Sequence, residues 1–134
     1  MSHNGRSADL QVFGERLSKL IRRDGGETII IAGADLSHVG PRFCDECDLQ
    51  DTFLAEVGRK DRVTIDAILA GDPARFLETL TSHENSTRIC SVGSLYGLMT
   101  ALPGAKAELL RYHQAVDQPS GTGVTCASIT FWDS

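Results

Sequence analysis

Five residues at positions 28–32, Thr28, Ile29, Ile30, Ile31 and Ala32, run straight into Gly33, Ala34, Asp35, Leu36, Ser37 and His38. The run is short, rich in β-branched side chains and apolar on both faces, which is the pattern of an inner strand covered by helices on each side. A strand of that kind restricts the chain to an α/β architecture. In such sheets chemistry collects in the loop at the strand's carboxyl end, and here that loop carries an Asp and a His. The loop supplies fewer groups than a metal or catalytic site normally needs, so the remaining groups are expected from elsewhere.

Helical patterns flank the strand. Leu10, Phe13, Leu17, Leu20 and Ile21 recur at helical spacing with Glu15 and Lys19 one turn apart on the other face, and Asp24-Gly25-Gly26 is the stop. Phe53, Leu54, Val57, Ile65, Ile68 and Leu69 predict one long or broken helix, weakened in its middle by Gly58 and the charged Arg59-Lys60-Asp61-Arg62 and closed by Gly71. Asp72-Pro73 supplies an N-cap followed by a first-turn proline for a helix bearing Phe76, Leu77 and Leu80. Leu95, Leu98, Met99 and Leu102 predict a fourth helix, stopped by Pro103-Gly104.

Residues 105–117 read two ways. Propensity favours a helix, whereas Leu110, Tyr112, Gln114 and Val116 alternate with Leu109, Arg111, His113 and Ala115 as a strand does. The turn at Pro119-Ser120-Gly121-Thr122-Gly123 and the β-rich Val124, Ala127, Ile129, Phe131 and Trp132 make a terminal hairpin the expected close. The 134 residues form a single domain in this reading, with residues 1–8 flexible.

Thirteen Lys and Arg against eighteen Asp and Glu give a net charge of −5, with no basic stripe to neutralise phosphates, so nucleic acid is not an expected partner. No apolar run approaches the roughly 20 residues of a membrane helix, and the polar start lacks a signal-peptide core. No membrane association and a cytoplasmic location are therefore expected. In that reducing setting Cys44, Cys47, Cys90 and Cys126 read as thiols or ligands rather than two disulfides.

Asp35 and His38, three residues apart, have two readings: both point into one crevice, the His as metal ligand or proton-transfer group, or Asp35 caps loop amides while His38 packs locally. Arg42 is an anion clamp or a structural partner of Asp35. Cys90 sits just before a helix, where the dipole and free amides favour thiolate, although a buried inert thiol is the commoner outcome. A His–Cys pair would suit zinc, iron or copper. Cys44-Asp45-Glu46-Cys47 has the spacing of half a zinc knuckle without its second half. His3 and His83 are expected in solvent, and His113 on one face of a strand, as a wet edge residue or a pocket lining. No G-x-S-x-G, Walker A, G-x-G-x-x-G or H-E-x-x-H pattern occurs, which disfavours ordinary hydrolase chemistry.

Asp35-Leu36-Ser37-His38-Val39-Gly40-Pro41-Arg42-Phe43, Arg88-Ile89-Cys90, Leu95-Tyr96-Gly97-Leu98 and Glu108-Leu109-Leu110-Arg111-Tyr112 together resemble the Memo-like family, whose microbial members are called protein B of the AmmeMemoRadiSam system. The resemblance runs from about residue 27 to residue 132. It implies an α/β/α sandwich like that of class III extradiol ring-cleaving dioxygenases, with a metal-type pocket at the sheet's carboxyl edge. By position, His38 and Cys90 match the pocket's later His and its Cys, and Asp35 matches the acidic residue of the same loop. The resemblance also implies strands over residues 109–116 and 124–131.

Only the family's C-terminal half is matched, giving a partial sandwich, and the earlier histidine ligands have no counterpart before Asp9. None of His3, His83 or His113 takes their place. A full structural zinc site contributes on the order of 10 kcal/mol, so a His–Cys pair with one carboxylate should hold a divalent metal weakly. An uncovered sheet edge and bare helix faces would also invite a partner, either the complementary N-terminal half or a second copy in a homodimer. Three readings follow: a redox or dioxygenase-like metal pocket completed by another chain, a non-catalytic interaction module, or a truncated fragment of a full-length Memo-like protein.

Overall fold

Residues 9–133 are described by a computed structural model. The expectations for residues 1–8, including His3, lie outside them. Asp9 accepts a hydrogen bond from the Val12 N–H and starts helix α1, Leu10–Arg23. A stretch without regular secondary structure leads to strand β1, His38–Val39, and a single 3₁₀ turn, Pro41–Phe43. Helices α2 (Asp51–Leu69), α3 (Pro73–Thr81) and α4 (Val92–Ala101) follow, then strands β2 (Lys106–Asp117) and β3 (Thr122–Trp132). The three strands form an antiparallel sheet in the order β1-β3-β2. One face of the hairpin covers a core of Ile65, Ile68, Phe76, Leu80, Leu95 and Met99 from α2, α3 and α4, joined by Leu36 and Ile89 from the loops. The mixed α/β class expected from the sequence is observed, as are the Asp72-Pro73 helix start, with Asp72 capping the Arg75 N–H, and the terminal hairpin.

Three local expectations change, and the open choice between a long and a broken α2 is decided. The α2 segment is not broken: it runs unbroken over nineteen residues, and Asp61 turns inward, fully buried. Gly58 and the neighbouring charges cost little where Val57, Asp61, Thr64, Ile65 and Ile68 share one inward helical face. In β2 the two alternating sets do not persist. The register with β3 shifts between Leu109 and Arg111, so Leu110 is an extra, 60% exposed residue, and the inward positions pass from Ala107 and Leu109 to Tyr112 and Gln114.

The apolar stripe of α1 is largely outside as well, with Phe13 56% and Leu20 61% exposed. Its buried residues are Gly14 and Ser18, because α1 lies so close to α4 that a Cβ on Gly14 would stand 2.5 Å from Thr100 Cβ. Finally, residues 28–32 belong to no helix and join no ladder. Ile30 and Ala32 face inward, whereas Ile29 and Ile31 are 85% and 88% exposed, so the expected inner strand is covered on one face only. Among the described residues no helix is long and apolar enough to cross a membrane.

Candidate metal-binding site

The loop that bears Asp35 and His38 is held from both sides. On one side β3 takes it up: Leu36 N–H donates to Thr125 O at 2.8 Å, Thr125 N–H to Ser37 O at 2.9 Å, and Ser37 N–H to Thr125 Oγ1 at 2.8 Å. On the other side His38 N–H donates to Thr87 O at 2.7 Å, which brings residues 87–90 alongside. That second segment is itself clamped by Asn85, whose side chain accepts from Ile89 N–H and donates to Ile89 O, each at 2.9 Å. Two loops far apart in sequence are thereby set side by side, and Cys90 arrives next to His38.

Asp35, His38 and Cys90 each present one ligand atom within 4.8 Å of the others. His38 Nε2 lies 3.0 Å from Asp35 Oδ2, and the Cys90 sulfur lies 3.6 Å from Asp35 Oδ1. The opposite ring nitrogen, Nδ1, faces the Arg88 carbonyl at 3.1 Å. A carbonyl only accepts, so Nδ1 is the nitrogen placed to donate there, and Nε2 faces a carboxylate oxygen, which also only accepts. Two acceptors at that distance repel unless a positive charge intervenes, either a second ring proton or a cation. Donors bound to one ion through bonds of about 2.0–2.2 Å stand roughly 3 Å apart, so the His–Asp spacing fits a shared metal ligation. Carboxylate, imidazole and thiol together suit zinc, iron or copper.

The supporting layer centres on Arg88. Its backbone is left-handed, with φ of 59°, at a cost of about 1 kcal/mol. Its guanidinium donates to the His38 carbonyl at 3.0 Å and pairs with Asp45 at 2.5 Å. Asp45 in turn accepts from Gly40 N–H at 2.7 Å. Partial burial pushes the Asp45 carboxyl up, but the Arg88 hydrogen bond and charge and the Gly40 amide outweigh it and hold the group below the usual carboxylate range. Gly40, at φ 107°, has no room for a side chain, since a Cβ would meet Gly121 O at 2.4 Å. The Phe43 ring stands edge-on to the His38 imidazole with centroids 5.5 Å apart.

Behind the loop lies a buried polar cluster. Ser37 donates to Asp61 Oδ1 and Tyr112 to Asp61 Oδ2, each at 2.6 Å, and Gln114 donates to Tyr112 Oη at 3.0 Å. Burial, and then the Asp61 carboxylate, push the Tyr112 phenol well up.

Some expectations are corrected here, and elsewhere one of two open readings is selected. Cys90 does not have a favoured thiolate: partial desolvation of the sulfur, then the Asp35 charge, push the thiol up. The Ser91 hydroxyl does not cap the helix start but is bonded to the Asp35 carbonyl. Arg42 is exposed and makes no ion pair with Asp35 among the described residues; only its backbone N–H is engaged, with Gly121 O. Cys44 and Cys47 are exposed free thiols outside the Asp–His–Cys group. His83 is not solvated: both ring nitrogens are buried without a hydrogen-bond partner. His113 is exposed, opposite Cys126 on the outer side of the hairpin. Arg88, Asp45, Asp61 and Tyr112 were not anticipated. Only Asp61 left a readable trace, one helical turn from both Val57 and Ile65 on the apolar face.

A family model described as Memo-like protein matches residues 1–130. A MEMO1 family protein of Thermus thermophilus is 30% identical over 117 residues, covering 87% of this chain and 34% of the relative. The chain thus spans about a third of the length of the curated relative it matches.

Proposed function

Because the chain belongs to the Memo-like family, we propose that Asp35, His38 and Cys90 form one side of a divalent-metal pocket whose other donors come from another part of the fold, on the same polypeptide or a second one. The observation that carries this reading is the convergence of three chemically suitable donor atoms within 4.8 Å, on loops 55 residues apart. The Arg88 carbonyl fixes the His38 tautomer, as outer-layer acceptors do for metal-bound imidazoles. A divalent ion held there would act as a Lewis acid and, were it iron, as a redox partner for dioxygenase-like chemistry.

The protein's own residues have assignable parts in such a pocket. His38 binds through Nε2, Cys90 through sulfur after losing its proton, and Asp35 either binds or accepts that proton across the 3.6 Å between them. Completion from elsewhere is supported by residues 28–32. Their backbone makes no ladder, and Ile29 and Ile31 offer water an apolar face that an inner strand would bury.

Calorimetry and optical titration with Co²⁺, Zn²⁺ and anaerobic Fe²⁺ test the reading. One ion per chain is expected, with a thiolate-to-cobalt absorption that disappears in Cys90→Ser and an affinity at least tenfold weaker in His38→Ala. Failure to bind a stoichiometric ion, both alone and with a complementing Memo-like segment, would overturn it.

A further inference from the structure

On the far side of the core, α1 and α3 stand apart with α4 as the floor between them. Helix α1 runs parallel to α4, with Leu10 beside Gly93, Phe13 beside Gly97 and Gly14 against Thr100. Helix α3 runs the other way, so its start faces the end of α4. The trough contains a cavity of about 750 Å³, within the range of small-molecule sites, and continues into a second of about 350 Å³ that shares Gln11 and Tyr96.

The two ends differ in character. The smaller cavity is lined mainly by Leu10, Leu77, Val92 and the Tyr96 ring. In the larger one, Met99, Ala74, Pro73 and Pro103 continue the apolar lining, and Lys19, Arg22 and Arg23 stand at the rim. None of these three cations has a carboxylate within ion-pairing distance among the described residues. Arg22 reaches the Ser18 hydroxyl at 3.0 Å. Two acids line the same end, Asp72 accepting from Arg75 N–H and Glu15 from Gln11 Nε2, so the three cations stand against two carboxylates. In a chain of net charge −5, a rim with one more cation than carboxylates, and with those cations in no ion pair, is locally positive above an apolar trough. The last-turn cations also offset the α1 dipole, but that role does not explain the trough they overlook.

We propose that this trough binds a single-chain amphiphile with an anionic head, the head among Lys19, Arg22 and Arg23 and the acyl chain lying over α4 toward Leu10 and Leu77. The inference is independent of the metal pocket. Charge complementarity selects the head, and the joined cavities' apolar lining selects the tail.

The test is NMR titration of the isotope-labelled full chain with decanoate and decyl phosphate, with decan-1-ol as the neutral counterpart. Either anion is expected to shift Ala74, Thr100 and Gly104, with affinity at least tenfold above that of the alcohol; which anion binds more tightly identifies the head group. The triple variant Lys19→Gln, Arg22→Gln, Arg23→Gln should remove that preference. Ala74→Trp, which fills the trough without changing charge, should abolish binding of all three, with its fold checked by the remaining resonances. Equal affinity for alcohol and anions, indifference to both variants, or shifts confined to Ile29 and Ile31 would overturn the proposal.

Discussion

The Ser37 hydroxyl donates to the fully buried carboxylate of Asp61 across 2.6 Å, and the next residue along the chain is His38. Helix α2 therefore holds the site loop from below through a side chain 24 positions away, while β3 holds its backbone from the side. Asp61 binds a second hydroxyl, that of Tyr112, so loop, helix and hairpin meet on one carboxylate.

Removing that carboxylate should be costly. Asp61→Ala strands two buried hydroxyl donors and is expected to lower stability by about 2–4 kcal/mol in urea denaturation. Tyr112→Phe, which leaves Asp61 one donor short, should cost about 1–2 kcal/mol. A Asp61→Ala protein as stable as the parent would show that the cluster contributes nothing.

The approach of α1 to α4 gives a second expectation. Gly14→Ala places a methyl 2.5 Å from Thr100 Cβ and 2.8 Å from Cγ2, so the helices must separate. Overpacking of about 1–3 kcal/mol is set against a helix-propensity gain of about 1 kcal/mol, and a net loss is expected. Gly33→Ala, with open space around the added carbon, should stay within about 0.5 kcal/mol. Thermal melts of the two variants make the comparison.

The Asp45–Arg88 pair predicts an acid-side pH dependence. The folded carboxyl lies below its ordinary 3.8, so the unfolded chain takes up this proton first as pH falls. The pair's stabilisation is then complete above about pH 4 and is lost as pH drops through the lower folded value. Arg88 is 38% exposed, and screening limits the effect to about 1 kcal/mol or less. Asp45→Asn should flatten the stability profile in that window and leave it unchanged in shape near neutrality.

Cys90 should be a slow nucleophile despite its exposure, since desolvation and then the Asp35 charge hold its thiol up. Mass-resolved alkylation at pH 8 is expected to label Cys90 more slowly in the parent than in Asp35→Asn. No acceleration in Asp35→Asn would mean that the carboxylate does not act on the sulfur.

What could be read without coordinates was what depends on near neighbours in the chain. The Asp72-Pro73 helix start, the hairpin turn near Gly121 and the Asp35–His38 spacing are local, and resemblance in the same stretches located Cys90 as their companion. Local signals fell short where a distant contact overrode a local preference. Gly58 and four charges suggest a break in α2, but packing of Val57 and Ile65 keeps the helix whole and draws Asp61 inside. One inserted residue at Leu110 reverses the strand's facing pattern, and alternation carries no mark of it.

The chain's order of side chains thus determined its mixed α/β character, its helix boundaries and the kinds of donor atom available. Only the tertiary structure decided that the sulfur at 90 stands beside the carboxylate at 35, that Arg88 braces the imidazole, and that Ile29 and Ile31 face outward. The physical reason is that backbone hydrogen bonds and caps act over a few residues, whereas the donors' separation depends on two loops being laid together by β3, Thr87 and a buried aspartate.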